Sequence, residues 1–140
     1  MKKNKLEKQS FTLAKAERLK SRKLIEQLFK EGKSFPQFPL KVLYLLSKSV
    51  YAPLQSGFAA SKKNFKKAVE RNRVKRLMKE AYRLQKNSLT GKLEHQQQFM
   101  TVFFIYVGNT LPKYEIMSEK IYSSLTRLEK IADESVSSIS

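Results

Sequence analysis

Residues 62–86 constrain this chain more than any other segment, because they carry eleven lysines and arginines against only two acids, Glu70 and Glu80. Placed at 100° per residue, the segment has two faces. One face is cationic and polar: Arg71, Lys75, Lys79, Arg83, with Asn72, Arg76 and Lys86 in the same sector. The opposite face is apolar: Val74, Leu77, Met78, Ala81, Leu84. The pattern predicts a helix over 65–86 that covers a core with one side and presents cations to a polyanion such as nucleic acid.

Length and composition fit a single basic domain. The chain has 140 residues and a formal net charge of +17, which indicates an anionic partner. Cysteine is absent, so disulfides and thiolate metal sites are excluded. No apolar run reaches the roughly 18 residues of a membrane span, and the basic N-terminus lacks the apolar stretch of a signal peptide. These features favour a cytoplasmic protein with no membrane partner.

The order of predicted elements is helix, strand, strand, long helix, strand, helix. We expect helix one over 21–32, a rigid connection over 35–39, strands over 40–46, 56–61 and 99–107, an exposed loop over 87–98 and a final helix after Pro112. Gly57 predicts a close approach of two backbones. The apolar run 99–107 predicts a central strand. The expected fold is α+β, with a small mixed sheet, about three helices and a βαβ crossover through the basic helix. Residues 1–10 are expected to form a flexible basic arm, 11–132 one domain and 133–140 a disordered tail.

Two runs of residues resemble the protein subunit of bacterial ribonuclease P. The first run is Ala60, Ser61, Lys62, Lys63, then Ala68, Val69, Glu70, Arg71, Asn72, Arg73, Val74, Lys75, Arg76, Leu77, and Ala81, Tyr82. The second run is Arg18, Leu19, Lys20, followed by Leu28, Phe29, Lys30, Glu31, Gly32. The resemblance covers roughly residues 11–131. It implies a two-layer α/β sandwich whose crossover is left-handed, whereas general topology rules predict a right-handed one.

The resemblance also implies a function. The family's RNA subunit removes the 5′ leader of precursor tRNA with Mg²⁺ that is held mainly by the RNA, and the sequence identifies no catalytic or metal-ligating residue in the protein. The RNA-binding residues would be Lys62, Lys63, Arg71, Asn72, Arg73, Lys75, Arg76, Lys79 and Arg83. A cleft between helix one and the sheet, lined by Phe29, Tyr44 and Ile25, would receive the single-stranded leader, because bases stack on aromatic faces without sequence preference. The expected partners are the catalytic RNA and the precursor leader, with no protein partner.

Three positions depart from the family's pattern. Relatives commonly have a glycine soon after the paired lysines, but this chain has Asn64, Phe65, Lys66 and Lys67 there and is one residue longer. Ile25 stands where many relatives have phenylalanine, so it can make apolar contact but cannot stack. Lys79 replaces a frequent arginine and loses the planar fork that binds phosphate through two hydrogen bonds.

Plainer interpretations and other functions stay open at this point. A basic helical face is often only solvated, Arg76 and Glu80 can form an ordinary surface pair, and aromatics such as Phe29 and Tyr44 are more often core residues. His95 lies in a polar segment and receives no role. A general RNA-binding or ribosomal-type protein explains the charge equally well. A protein-only nuclease is poorly supported, because acids are sparse in the middle of the chain. A membrane-surface helix is weaker still, because the apolar face is needed for the core.

Overall fold

The computed structural model describes residues 15–47 and 52–139, so the predicted arm over residues 1–10 lies outside the described residues. A 3₁₀ turn at Lys15–Glu17 precedes the regular elements. These are α1 (Arg22–Glu31), β1 (Lys33–Gln37), β2 (Leu40–Ser47), β3 (Leu54–Ala60), α2 (Ala68–Gln85), α3 (Asn87–Gln96), β4 (Phe99–Tyr106) and α4 (Tyr114–Ile139). The predicted α+β class is therefore confirmed.

The strands of the described chain form one mixed sheet in the order β1-β2-β4-β3. β4 pairs antiparallel with β2 and parallel with β3, so the run predicted to be a central strand has a neighbour on each side. Between β3 and its parallel neighbour β4 the chain passes through α2 and α3. This is the predicted βαβ crossover, and its left hand stays a prediction.

The two faces of the sheet are covered unequally. Side chains alternate along a strand, and on β4 Val102 and Phe104 enter the large core under α2, α3 and α4. Phe103 and Ile105 point to the other face and pack in a smaller cluster around Leu28 of α1. The ten-residue α1 therefore covers only part of its face, and aromatic side chains remain within reach of solvent there.

The segment over 87–98 is not the exposed loop that the sequence predicted, because most of it forms α3. Only two leucines, Leu89 and Leu93, face inward, and both are fully buried. They are four residues apart on one helical face. Periodicity did not reveal this helix, because its apolar stripe has only two residues. Gly91 and the polar residues around it also resemble a loop.

The connection expected over 35–39 contains a strand. β1 pairs antiparallel with β2, and Pro36 is accommodated because β1 is an edge strand. The chain reverses at the cis peptide between Phe38 and Pro39. The extended geometry was predicted, but its pairing was not, because β1 is only five residues long.

α4 runs to Ile139, past residue 132, after which the sequence predicted a disordered tail. The start of this extra stretch is held by side chains of α3. The Asp133 carboxylate accepts hydrogen bonds from Lys92 Nζ at 2.9 Å and from Gln96 Nε2 at 2.7 Å. Lys92 lowers the pKa of this carboxyl below its usual value. The helix is thus supported by contacts that a serine-rich composition does not reveal.

Gly57 does mark a close approach, but of a side chain rather than a backbone. A Cβ added at Gly57 would lie 2.5 Å from Cε1 of Phe103, which belongs to the neighbouring strand. We predict that Gly57→Ala lowers the free energy of unfolding by about 1–3 kcal/mol, because the Phe103 ring must shift within a packed cluster. Urea denaturation measures this change.

Gly91→Ala is the matched control for that substitution. No atom lies within 4 Å of a Cβ placed there, and the residue is exposed within α3. It should raise the free energy of unfolding by up to about 1 kcal/mol through helix propensity. Equal effects of the two substitutions would contradict the packing that we assign to Gly57.

Candidate nucleic-acid interface

The outer face of α2 is a cationic helix surface that is exposed in the described structure. Its exposed members are Asn72, Arg73, Arg76 and Lys79, and Lys75 is half-buried beside them. The inner face carries Val74, Met78, Ala81 and Tyr82, all buried. The division of the predicted helix into a cationic side and a packing side is therefore as expected, although Leu84 is exposed rather than buried.

Arg71 differs from the other arginines of α2 because its side chain is used inside the protein. Its Nη1 donates to the carbonyl oxygens of Phe65 at 2.8 Å and Lys66 at 2.9 Å. No side chain at Lys67 caps the helix. Arg71 therefore ties the preceding loop to the first turn of α2, and only part of its guanidinium is available to a ligand.

The extra residue before α2 is part of this anchored loop. Asn64 Nδ2 donates to the carbonyl oxygens of Val107 at 2.9 Å and Gly108 at 3.2 Å. The Phe65 ring is buried against Tyr106. These contacts hold the loop against the end of β4. Sequence reasoning gave Asn64 no role because its partners are more than forty residues away.

Four lysines are displayed where this loop enters the helix. Lys62 and Lys63, both predicted RNA-binding residues, are exposed in a turn, and Lys66 and Lys67 are exposed just before α2. The cationic surface thus begins before the helix itself. Lys66 and Lys67 were not among the predicted site residues, although the charge count of the segment included them.

The far end of α2 contributes less free charge than predicted. Arg83 forms a two-bond ion pair with Glu80, at 2.9 Å and 2.8 Å, so Glu80 pairs with Arg83 and not, as considered, with Arg76. Lys86 is only 4% exposed and bonds Glu17 at 3.3 Å. Its place among the exposed cations was wrong, because its side chain is buried and paired with the Glu17 carboxylate.

The predicted leader residues do not lie together. Phe29 is 54% exposed and packs edge-on against Phe103, 5.5 Å between ring centres, and Ile25 joins the same small cluster under α1. Tyr44 points to the opposite face, where it packs with the large core and approaches Phe35. The structure thus brings Phe29 and Ile25 together and separates Tyr44 from them by the thickness of the sheet.

A cavity of about 560 Å³ lies at the step in the sheet beside Tyr44. β2 continues past Lys33, the first residue of β1, so Leu45 and Leu46 have no partner on that side. The lining includes Tyr44 from one face and Leu45 from the other, together with Glu31 at the end of α1. The cavity therefore connects the two faces around the sheet edge.

The described residues contain no group of three or more histidine, cysteine, aspartate or glutamate side chains that could hold a metal ion. Within the same residues, no helix is both long and apolar enough to cross a membrane. Burial raises the pKa of the Tyr82 hydroxyl far above its usual range, so it stays neutral in the core beneath the cationic face. The chemistry that the site offers is the binding of anions.

We predict that Arg71→Ala lowers the free energy of unfolding by about 1 kcal/mol, because two loop carbonyls lose a charged donor. Arg73→Ala is the control, since Arg73 is exposed on the same helix and should change stability by less than about 0.5 kcal/mol. Thermal or urea unfolding of both variants measures the difference. Indistinguishable unfolding curves would show that the Arg71 contacts do not hold the loop.

Known proteins similar to this chain cover most of its length. The Ribonuclease P family profile matches residues 13–129. The ribonuclease P protein component of Porphyromonas gingivalis is 41% identical over 120 residues, covering 85% of this chain and 88% of the relative. That of Chlorobium phaeobacteroides is 37% identical over 121 residues, covering 79% and 83%. The RNase P protein of Staphylococcus aureus shares the fold, with a TM-score of 0.56 and 24% identity over 84% of this chain and 96% of that one. The chain therefore belongs to the ribonuclease P protein family.

Proposed function

We propose that this protein binds the catalytic RNA of ribonuclease P through the outer face of α2 and the lysines that precede it. The protein is the subunit of a ribonucleoprotein endoribonuclease that matures the 5′ end of tRNA, and the RNA carries the catalysis. The observation that supports the proposed surface is the exposure of Arg73, Arg76 and Lys79 on one rigid helix. Because the opposite side of the helix is locked into the core, these cations are displayed at fixed spacing.

Fixed spacing matters because of how cations bind RNA. Each lysine or arginine that meets a backbone phosphate releases condensed counterions, and the gain in free energy is largest when little side-chain or backbone order must be created on binding. A helix anchored along its length supplies such order. Arg73 and Arg76 add planar guanidinium groups that can hold one phosphate through two hydrogen bonds.

The proposed leader site lies on the face that α1 covers only in part. Phe29 and Phe103 present aromatic surface there, and Ile25 adds apolar contact. Stacking on such a surface stabilises a single strand by about 1–3 kcal/mol per base without selecting its sequence. Tyr44 joins this proposal through the cavity at the sheet edge, so that a leader on the α1 face would reach Tyr44 only by turning around that edge.

In this proposal the catalytic RNA binds Mg²⁺. The protein's own residues bind and orient RNA, and the chain works in the bacterial cytoplasm, where its RNA partners are made. Reconstitution tests the whole proposal. Protein, catalytic RNA and precursor tRNA at low Mg²⁺ should give faster cleavage than RNA and precursor alone, and cleavage by protein alone would contradict it.

We predict that Arg73→Ala/Arg76→Ala weakens binding to the catalytic RNA and reduces the slope of log affinity against log salt by about 1.4–1.8. Each removed phosphate contact accounts for roughly 0.7–0.9 of that slope. Arg71 is left intact, since its loss would also disturb the loop before the helix. Filter binding or fluorescence anisotropy across a salt series provides the measurement.

Lys113→Ala is the control for nonspecific charge loss. Lys113 is exposed just before α4 and does not belong to the outer face of α2. The salt slope of Lys113→Ala should match that of the wild type within experimental error. If Arg73→Ala/Arg76→Ala has the same salt slope as Lys113→Ala, the RNA binds elsewhere on the protein.

We predict that Phe29→Ala and Tyr44→Ala each weaken binding of precursor tRNA. The two defects should require leaders of different minimum length. The two rings lie on opposite faces of the sheet, so one leader must pass them in sequence and not together. Affinities for a series of leaders, shortened one nucleotide at a time, should show one variant's defect disappearing before the other's. Mature tRNA should bind both variants like the wild type.

If both binding defects disappear at the same leader length, the two rings contact the same nucleotide. That result would contradict their placement on opposite faces of the sheet. Equal weakening for mature tRNA would indicate damage to folding. Leu111→Ala supplies the control, because Leu111 is an exposed apolar residue remote in sequence from both rings and outside both clusters.

A further inference from the structure

A second cationic feature lies beside α2, at the outer edge of β3. A cavity of about 320 Å³ is lined by Arg18 and Lys20 from the N-terminal segment, Lys79 from α2, and Ser56 and Phe58 from β3. No carboxylate is among the described residues that line it. Three cations from two distant parts of the chain thus surround one concave space.

The N-terminal segment is held in place by a set of specific contacts. Arg18 and Ser56 form a parallel bridge, in which Leu19 N donates to the Ser56 carbonyl at 2.8 Å. Gln55 Nε2 donates to the carbonyl of Ala16 at 3.0 Å. These bonds fix the backbone on both sides of Arg18, so the position of Lys20 relative to β3 is set by main-chain pairing.

The ion pair between Glu17 and Lys86 adds a link to the end of α2. Lys86 Nζ lies 3.3 Å from Glu17 Oε2, and it also donates to Asn87 Oδ1 at 3.3 Å. Because Lys86 is almost completely buried, this pair is protected from the screening that weakens surface pairs. The N-terminal segment is therefore connected to the helix that carries Lys79.

The acids near the cavity are already engaged with other cations. Glu17 bonds Lys86, and Glu80, which follows Lys79 in the chain, holds Arg83. Lys20 and Lys79 are both exposed. Clustered cations with no lining carboxylate attract an anion, and the volume exceeds the roughly 30 Å³ share of one water molecule several times over. A phosphate group with part of its hydration fits.

We propose that this cavity binds a backbone phosphate of the catalytic RNA, with Lys20 and Lys79 as its two principal cations. The inference rests on the proposed RNA-binding role of α2 and extends it to the N-terminal segment. The catalytic RNA is favoured as the source because Lys79 belongs to the outer face of α2, so an RNA strand lying along that face passes the mouth of the cavity. Lys79 would act here as a compact charge between α2 and the N-terminal segment.

The test compares Lys20→Ala, Lys79→Ala and the double variant of the full chain. Each single variant should bind the catalytic RNA about three- to tenfold more weakly and lose roughly 0.7–0.9 of the salt slope. If Lys20 and Lys79 share one phosphate, the double variant should bind within about twofold of the weaker-binding single variant. Removing either lysine alone already disrupts the contact with that phosphate. Lys113→Ala again serves as the control.

The role of the N-terminal link is tested in Glu17→Gln/Lys86→Met, which removes both charges together and keeps similar side-chain volume. In this background Lys20→Ala should weaken RNA binding as much as it does in the wild type, because the main-chain bond between Leu19 and Ser56 still holds Lys20 at the cavity. The slope contributed by Arg73 and Arg76 should remain. Urea denaturation verifies that each variant is folded before binding is compared.

The outcomes separate this inference from the proposed function. If the wild type neither binds the catalytic RNA nor accelerates cleavage, the proposed function fails. If Arg73→Ala/Arg76→Ala loses affinity but Lys20→Ala matches Lys113→Ala, only the cavity proposal is overturned. Fully multiplicative losses in the double variant also overturn it, because they indicate separate phosphates. A defect confined to precursor tRNA, with the catalytic RNA bound normally, overturns the assignment of the ligand.

Discussion

The packing of α2 on the sheet is the contact on which the rest of the protein depends. Val74, Met78, Ala81 and Tyr82 are buried in the large core, and the Tyr82 ring meets Phe58 and Phe104 edge-on. This contact fixes the rotation of the helix about its axis. Since the cations follow the same helical periodicity as the apolar side chains, burying one face determines which residues the other face presents. The proposed RNA-binding surface is thus a geometric consequence of the core.

The same packing explains why the cations of α2 are not equivalent. Near the middle of the helix, the side chains of Arg73, Arg76 and Lys79 remain exposed. At its two ends, other segments approach and engage cations internally: the loop before the helix engages Arg71, and the N-terminal segment engages Lys86. A charged side chain that holds a carbonyl or a carboxylate inside the protein stabilises the fold and has less capacity left for RNA. Charge count alone therefore overstates the size of the binding surface.

The sheet separates two proposed tasks. Its large-core face supports the helix that we assign to the catalytic RNA, while the face under α1 leaves Phe29 and Phe103 accessible for a single strand. α1 is too short to cover that face, and β4 supplies side chains to both faces because alternate residues point in opposite directions. One central strand thus couples the positions of both surfaces, which suits a protein that holds a leader and a folded RNA at the same time.

The sequence by itself determined the two-faced helix, the central strand and the family, because these depend on local periodicity and on contiguous motifs. It missed α3, whose two inward leucines gave too weak a period, and the pairing of β1 with β2. It also placed Lys86 among the exposed cations and Tyr44 beside Phe29. Only the tertiary structure decided these points, because they depend on residues distant in the chain. Lys86 is paired with Glu17, Asn64 is anchored to the end of β4, and Tyr44 packs on the large-core face of the sheet. Periodicity tells which side chains share a face of an element, whereas the packing of other elements decides what covers that face.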